Sequence, residues 1–390
     1  MNMKKTYCRA LFAVVVLAIV SLSISGCSPT QDKPETKNNP PAESKPEYRL
    51  LAVLPLSGNL AAIGTPKREA MELAIEQGKA AYPDVKIAVD FQDSQGTAKD
   101  AISVINQALG TKRPDFMFID LTPIVDATLP IVDANHILTF AGSAQAGLTS
   151  RSEYLFRVFP GGDQEVQLIL NYLRQSKPKG VYVIHANELY GRSVDQALAK
   201  YRDEIHILGS EEYALSDKDF KTQLTKAKES GADAIVLLGY GSEYATLLRQ
   251  AKELGIPSDH FVANLGGVNI GVMQLPPEMT EGMVFAGPAF ALRGDNIDSY
   301  PPQQRLVDAY KQKFGKAPDF RVAFVYDTIM LLFRAAHDSK TIEEIRAQLR
   351  NVNGYEGASG RISISDTRDA VVELVLGKYQ SGKPVKITAN

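Results

Sequence analysis

Cysteine and tryptophan are scarce in this sequence. Of 390 residues only Cys8 and Cys27 are cysteines, and there is no tryptophan. Two cysteines exclude a zinc site built from cysteines, an iron–sulfur cluster and a disulfide framework. The 43 lysines and arginines are balanced by 45 aspartates and glutamates, and the body of the chain has no basic block. This balance argues against nucleic acid as a partner, because a phosphate backbone binds clustered cations.

The motifs of several large enzyme classes are also absent. There is no phosphate-binding G-x-x-x-x-G-K-S/T loop, no G-x-G-x-x-G after a strand, no G-x-S-x-G and no H-E-x-x-H. The five histidines are scattered, and histidines so placed are more often packed or surface residues than metal ligands. An acid–base site needs only two dispersed carboxylates, so an enzyme stays open as an alternative. We expect a binding protein that uses no metal and no cofactor.

The first 26 residues have the pattern of an export signal. Lys4, Lys5 and Arg9 precede an apolar run at 10–20, and smaller residues follow at 21–26. The alternative is a membrane-spanning helix, which needs about 20 apolar residues and would force the small residues into lipid. The length of the run therefore favours a cleaved secretory signal peptide at residues 1–26.

The residues around the cleavage site predict a lipid anchor. Ile24-Ser25-Gly26-Cys27 is similar to the bacterial lipobox, in which the peptidase cuts before a cysteine that receives a diacylglycerol. The alternative, an ordinary cleavage, would leave Cys27 as a free thiol in an oxidising envelope. Residues 27–47 contain five prolines and almost nothing apolar, which predicts a disordered tether. We expect a protein of the cell envelope, lipid-anchored to a membrane and facing the periplasm or the exterior.

From residue 48 onward, short apolar runs alternate with segments of helical periodicity. A chain of this length has room for two or three domains. The apolar runs, in two series, are 50–56, 85–91, 115–121 and 136–142, then 180–186, 204–213, 232–240 and 260–264. Such alternation predicts parallel sheets covered by helices on both faces. The fold class is therefore predicted to be α/β, with two doubly wound lobes.

The junctions between these strands and helices are the places to look for a site. Ligands of open parallel sheets bind beyond the carboxyl ends of the strands, and these junctions are rich in Gly, Ser, Thr, Asn and Tyr. At the first junction, Thr65 and Pro66 have the pattern of a helix N-cap followed by the first helical residue. The alternative is that most of these residues only form turns.

Seven segments between Arg49 and Lys383 carry a resemblance to a known family. They are LAVLPLSGNLAAIG (51–64), LPIVDANHILTFAGSAQAGLT (129–149), YLFRVFPGGDQEVQLILNYL (154–173), VYVIHANELYGRS (181–193), DFKTQLTKAKESGADAIVLLGYGSEYATLLRQAKELG (219–255), AFVYDTIMLL (323–332) and GRISISD (360–366). In their order and spacing they resemble bacterial solute-binding lipoproteins of the branched-chain amino acid (Leu/Ile/Val) type. These are type I periplasmic binding proteins that serve ABC transporters.

The resemblance implies two lobes, joined by three crossovers, that close over a ligand by a hinge motion. It places the first lobe at 48–163 plus 289–360 and the second at 164–288 plus 361–390. The implied function is capture of a small organic ligand, amino acid-like or an organic carboxylate, for ABC permease subunits. The alternative is an envelope regulatory or sensor lipoprotein that uses the same fold to bind a protein partner.

The family's ligand residues match positions at the strand-to-helix junctions. By this resemblance, Thr122 would bind a ligand carboxylate. Ser143 and Gln145 stand where a backbone carbonyl and a threonine hold the carboxylate and ammonium groups. Tyr190 and Tyr240 stand where aromatic residues of the second lobe close on the ligand, although Tyr190 could instead pack locally. The residues expected to bind ligand are Ser57, Ile63, Thr122, Ser143, Ala144, Gln145, Tyr190, Tyr240 and Leu265.

Three positions depart from the amino-acid-binding pattern. Ile63 stands where a tyrosine often lines the pocket, Gln145 replaces a threonine, and Leu265 stands where an acid pairs with the ligand ammonium. A buried cation without a partner is strongly disfavoured. A free α-amino acid is therefore expected to fit poorly, and an amine-free carboxylate or a neutral polar or aromatic compound to fit better. Glu188 or Glu243 could replace the missing acid.

Overall fold

The computed structural model describes residues 47–293 and 300–387. The predicted signal peptide at 1–26, the predicted lipidation site Cys27 and the tether up to residue 46 lie outside the described residues. Within the described part of the chain, no helix is both long and apolar enough to cross a lipid bilayer.

Strands and helices alternate along most of the described chain. The strands are β1 (Glu47–Leu54), β2 (Lys86–Asp93), β3 (Phe116–Asp120), β4 (Leu138–Gly142), β5 (Leu155–Phe156), β6 (Val181–Ala186), β7 (Ile207–Tyr213), β8 (Ala234–Leu238), β9 (Phe261–Ala263), β10 (Val284–Pro288), β11 (Tyr355–Glu356), β12 (Arg361–Ile364), β13 (Ala370–Val372), β14 (Leu374–Gln380) and β15 (Lys383–Lys386). The helices are α1 (Ala61–Ala81), α2 (Ala98–Thr111), α3 (Thr122–Asn135), α4 (Gly162–Ser176), α5 (Leu189–Ala199), α6 (Lys221–Glu229), α7 (Tyr244–Glu253), α8 (Ile270–Met273), α9 (Ala289–Leu292), α10 (Pro301–Phe314), α11 (Phe320–His337) and α12 (Ile342–Arg350).

The strands form two large sheets that share one order. The first sheet runs β2-β1-β3-β4-β5, and its strands are all parallel. The second runs β15-β14-β10-β9-β8-β6-β7, in which the parallel part β7-β6-β8-β9-β10 repeats the order of the first. β14 and β15 extend it as antiparallel edge strands, and β11-β12-β13 form a small separate sheet. The predicted α/β class with doubly wound parallel sheets is confirmed.

The central strands are buried along their whole length because helices cover both faces of each sheet. Every residue of β3, with the sequence FMFID, is buried, and so is every residue of β8, with the sequence AIVLL. Such strands lack the polar–apolar alternation of a half-exposed sheet. Ligands of such sheets bind beyond the carboxyl edge, where the chain leaves the strands.

The chain passes between the two sheets three times. It crosses after β5, it returns after β10 to the helices that pack against α1, and it crosses again between β13 and β14. The first crossover lies beside the start of β13, the strand that precedes the third crossover, since Arg157 and Asp369 form a parallel backbone bridge. Their side chains also pair, with Arg157 Nε 2.8 Å from Asp369 Oδ1. Two lobes joined by three crossovers agree with the predicted architecture.

The first helix starts earlier than the sequence predicts. A 3₁₀ turn at Gly58–Leu60 leads directly into α1, which begins at Ala61, so the prediction of Thr65 as its N-cap is wrong. Pro66 lies inside the helix, where it donates no backbone hydrogen bond. The early start places Ile63 in the first turn of α1, beyond the carboxyl end of β1.

Helix α1 packs closely against α11 through a glycine. Gly78 of α1 is buried, and a Cβ atom added to it would overlap the ring of Phe333 on α11. The absence of a side chain at Gly78 therefore lets Phe333 fill the space between the two helices.

Replacing Gly78 with alanine is expected to lower the free energy of unfolding by about 1–3 kcal/mol, the usual range for overpacking a core. Urea unfolding measures the change. Gly110 at the end of α2 is the matched control, because a Cβ added there meets open space. The Gly110→Ala variant should be neutral or gain up to about 1 kcal/mol from better helix propensity. Equal stability of the two variants would contradict the close packing.

Candidate functional site

A cavity lies at the carboxyl ends of the parallel strands of both sheets. It contains about 480 Å³ of space free of protein atoms, part of which is open to solvent. Its walls come from the junctions after β1, β3 and β4 of the first sheet and after β6, β8 and β9 of the second, together with the start of α11. The lining residues are Ile63, Lys67, Leu121, Thr122, Gly142, Ser143, Ala144, Phe159, Tyr190, Gly239, Tyr240, Leu265, Gly266, Phe320 and Arg321.

The structure brings seven of the nine residues predicted from sequence to this cavity. Ser57 does not line it; this residue is exposed and hydrogen-bonds to Asp93. Gln145 does not line it either. Its backbone N–H donates to Ser143 Oγ, and its carbonyl oxygen accepts from Arg157. The predicted residues that line the cavity are Ile63, Thr122, Ser143, Ala144, Tyr190, Tyr240 and Leu265. Their contact with a ligand stays a prediction.

The first-sheet wall presents a pair of hydroxyl groups at the start of a helix. Thr122 Oγ1 and Ser143 Oγ lie 2.7 Å apart, and both residues are buried. Thr122 is the first residue of α3, and the N-terminal end of a helix carries a partial positive charge. Leu121, just before it, has φ of 72°, which turns the chain sharply from β3 into α3. This wall suits a ligand group that accepts hydrogen bonds.

The second-sheet wall presents two tyrosine rings. The ring centroids of Tyr190 and Tyr240 lie 5.5 Å apart. The Tyr190 hydroxyl donates to Glu165 at 3.1 Å and accepts from Asn264 Nδ2 at 2.6 Å, while the Tyr240 hydroxyl donates to Glu188 Oε2 at 3.0 Å. Burial raises the pKa of both tyrosines well above the usual value. Their hydroxyl groups are thus held by the protein, and the rings offer an apolar surface to the cavity.

A buried carboxyl group that the sequence analysis missed lies behind this wall. Glu165, in the first turn of α4, is 1% exposed and accepts the hydroxyl of Tyr190 and the backbone N–H of Leu265 at 3.1 Å. Burial raises the pKa of Glu165 to about 7. Glu165 therefore positions two residues of the wall, although its own side chain does not line the cavity.

Leu265 stands where an acid pairs with the ligand ammonium in amino-acid binders. Glu188 and Glu243 could have replaced that acid, but neither lines the cavity. Glu188 caps α5 by accepting the backbone N–H groups of Tyr190 and Gly191, each at 2.8 Å. Glu243 accepts the backbone N–H of Tyr240 at 3.0 Å and the hydroxyl of Tyr213. Both carboxylates are engaged by protein donors, so neither is placed to pair with a ligand ammonium.

Two cations on the cavity wall were also missed from the sequence. Lys67 lies one turn after Ile63 on α1, and its Nζ is 2.5 Å from Asp120 Oδ1. Arg321, near the start of α11, pairs with Asp319 and donates from Nη2 to the carbonyl oxygen of Tyr240 at 3.0 Å. The periodicity of α1 would have pointed to Lys67 if its start had been predicted correctly, since residues four apart share one helix face.

The raised pKa of Glu165 predicts how stability changes with pH. The folded protein keeps the Glu165 proton up to about pH 7, whereas the unfolded chain releases it near 4.5. The free energy of unfolding should therefore fall as pH rises from 4.5 to 7, by about 3 kcal/mol relative to a Glu165→Gln variant. Urea unfolding of both proteins at several pH values measures this difference. Parallel pH profiles would contradict the burial of an ionisable group at this position.

Comparison with known proteins places the chain in a family. A family model described as periplasmic binding protein matches residues 47–383. The Leu/Ile/Val-binding protein homolog 3 of Brucella melitensis is 28% identical over 352 residues, which cover 85% of this chain and 91% of that protein. The leucine-, isoleucine-, valine-, threonine- and alanine-binding protein of Pseudomonas aeruginosa is 25% identical over 331 residues, 81% of this chain and 85% of that one.

Solved structures share the fold at lower identity. The substrate-binding protein LivJ of Streptococcus pneumoniae, in complex with isoleucine, has a TM-score of 0.75 and 24% identity, covering 87% of this chain and 98% of its own. A solute-binding protein of Rhodopseudomonas palustris, in complex with 3,4-dihydroxybenzoic acid, has a TM-score of 0.78 and 19% identity, covering 87% and 96%. These relatives confirm the resemblance to type I proteins of the branched-chain amino acid kind. The chain belongs to the periplasmic binding protein family.

Proposed function

We propose that this protein is an extracytoplasmic solute-binding protein of an ABC importer that captures a small organic ligand in the cavity between its lobes. The observation that carries the proposal is that one cavity has walls from both lobes. Thr122 and Ser143 belong to the first wall, and Tyr190 and Tyr240 to the second. A ligand in contact with both walls stabilises the closed arrangement, because only that arrangement offers it both sets of contacts.

Hinge closure is supported by the contacts across the cavity. Arg321 of α11 donates to the carbonyl oxygen of Tyr240, and Thr122 lies within hydrogen-bonding reach of the Tyr240 hydroxyl. These polar contacts can exchange with water when the lobes open. We take the lobes as 48–163 plus 289–360 and 164–288 plus 361–390. The closed form would then dock on the ABC permease subunits.

Each part of the proposed site has a distinct role. The hydroxyls of Thr122 and Ser143, with the start of α3, hold the hydrogen-bond-accepting end of the ligand. Ile63 and Leu265 supply apolar contact, and the tyrosine rings cover the body of the ligand. Ala144 contributes to the first wall beside Ser143. Ser57 and Gln145 are left out of this site, because neither lines the cavity.

The proposed ligand class rests on the absence of aspartate and glutamate from the described residues that line the cavity. A ligand ammonium needs a buried anion, and Leu265, Glu188 and Glu243 offer none to the cavity. Relatives are named for leucine, isoleucine and valine, and solved neighbours hold isoleucine, 3,4-dihydroxybenzoic acid or benzoate. Both ligand classes thus occur on this fold. We propose an amine-free organic carboxylate here in preference to a free α-amino acid.

Isothermal titration tests this function. We expect micromolar or tighter binding of at least one aliphatic or aromatic acid such as 4-methylpentanoate or benzoate, and weak binding of leucine. The Tyr190→Ala variant should bind the acid about 1–3 kcal/mol more weakly. Leu189→Ala is the control, because Leu189 is the exposed neighbour of Tyr190 outside the cavity.

Two outcomes of this titration would contradict the proposal in different ways. Micromolar binding of leucine would contradict the ligand class while leaving the import function in place. Absence of any stabilising solute in a thermal-shift library would contradict the import function itself, since a bound ligand raises apparent stability by mass action. The second outcome would favour a regulatory or sensor lipoprotein.

Attachment to the membrane is proposed to depend on Cys27. Several acyl chains on this residue would give stable anchoring, at about 0.8 kcal/mol per buried CH₂. The Cys27→Ser variant, expressed as the full chain in a bacterium that processes lipoproteins, should move from the membrane fraction to the soluble envelope fraction. Ser28→Ala, the adjacent change, should leave the protein in the membrane fraction. Retention of the Cys27→Ser variant in the membrane would contradict lipid anchoring.

A further inference from the structure

The lysine on the cavity wall has an unusual setting. Lys67 is 5% exposed, and lysines are rarely buried so fully without a partner. Its partner is Asp120, the last residue of β3, which is fully buried and lies two residues before Thr122. The ion pair therefore stands beside the hydroxyl groups of the first wall rather than in a remote part of the core.

Hydrogen-bonding capacity remains on both partners of this pair. An ammonium group has three N–H donors, and among the described residues Lys67 Nζ has one hydrogen bond, to Asp120 Oδ1 at 2.5 Å. The other carboxylate oxygen, Asp120 Oδ2, is buried without a partner in the described chain. A buried ion pair often contributes no more stability than apolar residues of similar size. Structural support alone therefore gives no reason for a lysine here.

The charges on the cavity wall are of one sign. The charged lining residues are Lys67 and Arg321, and no aspartate or glutamate is among the described residues that line the cavity. Arg321 already donates to Asp319 and to the carbonyl oxygen of Tyr240. Lys67 has two N–H groups left for a ligand and, unlike Arg321, is paired with Asp120 beside Thr122. An anion in the cavity would accept them, and a second ammonium group would be repelled.

We propose that Lys67 determines the ligand specificity of this site, by donating to the carboxylate of an amine-free organic acid and by repelling the ammonium group of an α-amino acid. Asp120 holds the lysine side chain in place. This inference rests on the proposed solute-binding function and assigns its charge selection to one residue. The carboxylate would lie between Lys67 and the hydroxyls of Thr122 and Ser143, at the start of α3.

The test uses matched sets of solutes that differ only in charge. One set is 4-methylpentanoate, 4-methylpentanamide and leucine; the other is 3-phenylpropanoate, 3-phenylpropanamide and phenylalanine. Isothermal titration of the wild-type protein should show that the acid of at least one set binds at least tenfold more tightly than its amide and its amino acid. A tenfold preference corresponds to about 1.4 kcal/mol.

The variants separate the charge of Lys67 from its contribution to folding. Lys67→Met leaves Asp120 buried without a partner and is expected to destabilise the protein, so the informative variant is Lys67→Met/Asp120→Asn, which removes both charges. It should bind the acid at least tenfold more weakly than wild type and bind the amide within about threefold of wild type. Lys79→Met, which removes an exposed lysine from the same helix, should change neither affinity.

Each contrary result overturns a definite part of this inference. If the double variant keeps the wild-type preference for the acid, Lys67 is not the source of specificity, while the solute-binding function stands. If the tightest solute found for the wild-type protein is an amide or an α-amino acid, the charge selection itself is wrong. If the wild-type protein binds none of a broad solute library, the solute-binding function fails, and this inference fails with it.

Discussion

The buried guanidinium of Arg157 is the interaction on which both the cavity and the crossovers depend. Its Nη1 donates to the carbonyl oxygens of Ser143 at 3.2 Å and Gln145 at 2.6 Å, and its Nε donates to Asp369 at 2.8 Å. Arg157 is only 1% exposed, so these bonds form where water screens them little. The planar fork of arginine serves several acceptors at once, which a lysine ammonium cannot do with the same geometry. One side chain thereby fixes the loop that carries Ser143 and joins the first crossover to the segment just before β13.

The order of the strands then explains why residues far apart in sequence meet at one cavity. In a doubly wound sheet a crevice forms where the strand order reverses, which is between β1 and β3 in the first sheet and between β6 and β8 in the second. Ile63 and Lys67 follow β1, and Thr122 follows β3; Tyr190 and Tyr240 follow β6 and β8. Topology supplies the cavity, and the local sequence decides which side chain stands at each position of its wall.

The fold could be predicted from the sequence because it depends on local signals, namely short apolar runs and the helices after them. The residues of the cavity wall were named from the family resemblance, and seven of those nine residues line the cavity. Lys67 was missed for a local reason. Thr65 and Pro66 have the pattern of a helix start, so the sequence did not place Ile63 in the first turn of α1 or Lys67 on the same face one turn later. Glu165 was missed for a different reason. It is recognised only by its contact with Tyr190, and a buried carboxyl group held by tertiary contacts leaves no pattern in the sequence.

Three glutamates behind the cavity wall stabilise the second lobe through hydrogen bonds, and the same bonds affect which charges reach the site. Glu165, Glu188 and Glu243 each accept N–H or O–H groups of the protein, as buried carboxyl groups must if burial is not to be strongly unfavourable. These hydrogen bonds hold Tyr190 and Tyr240 in place and keep the carboxyl groups behind the wall. The polar side chains on the wall itself are then cations and hydroxyl groups. The demand for hydrogen bonds within the fold therefore also keeps these carboxyl groups away from the site proposed for an anionic ligand.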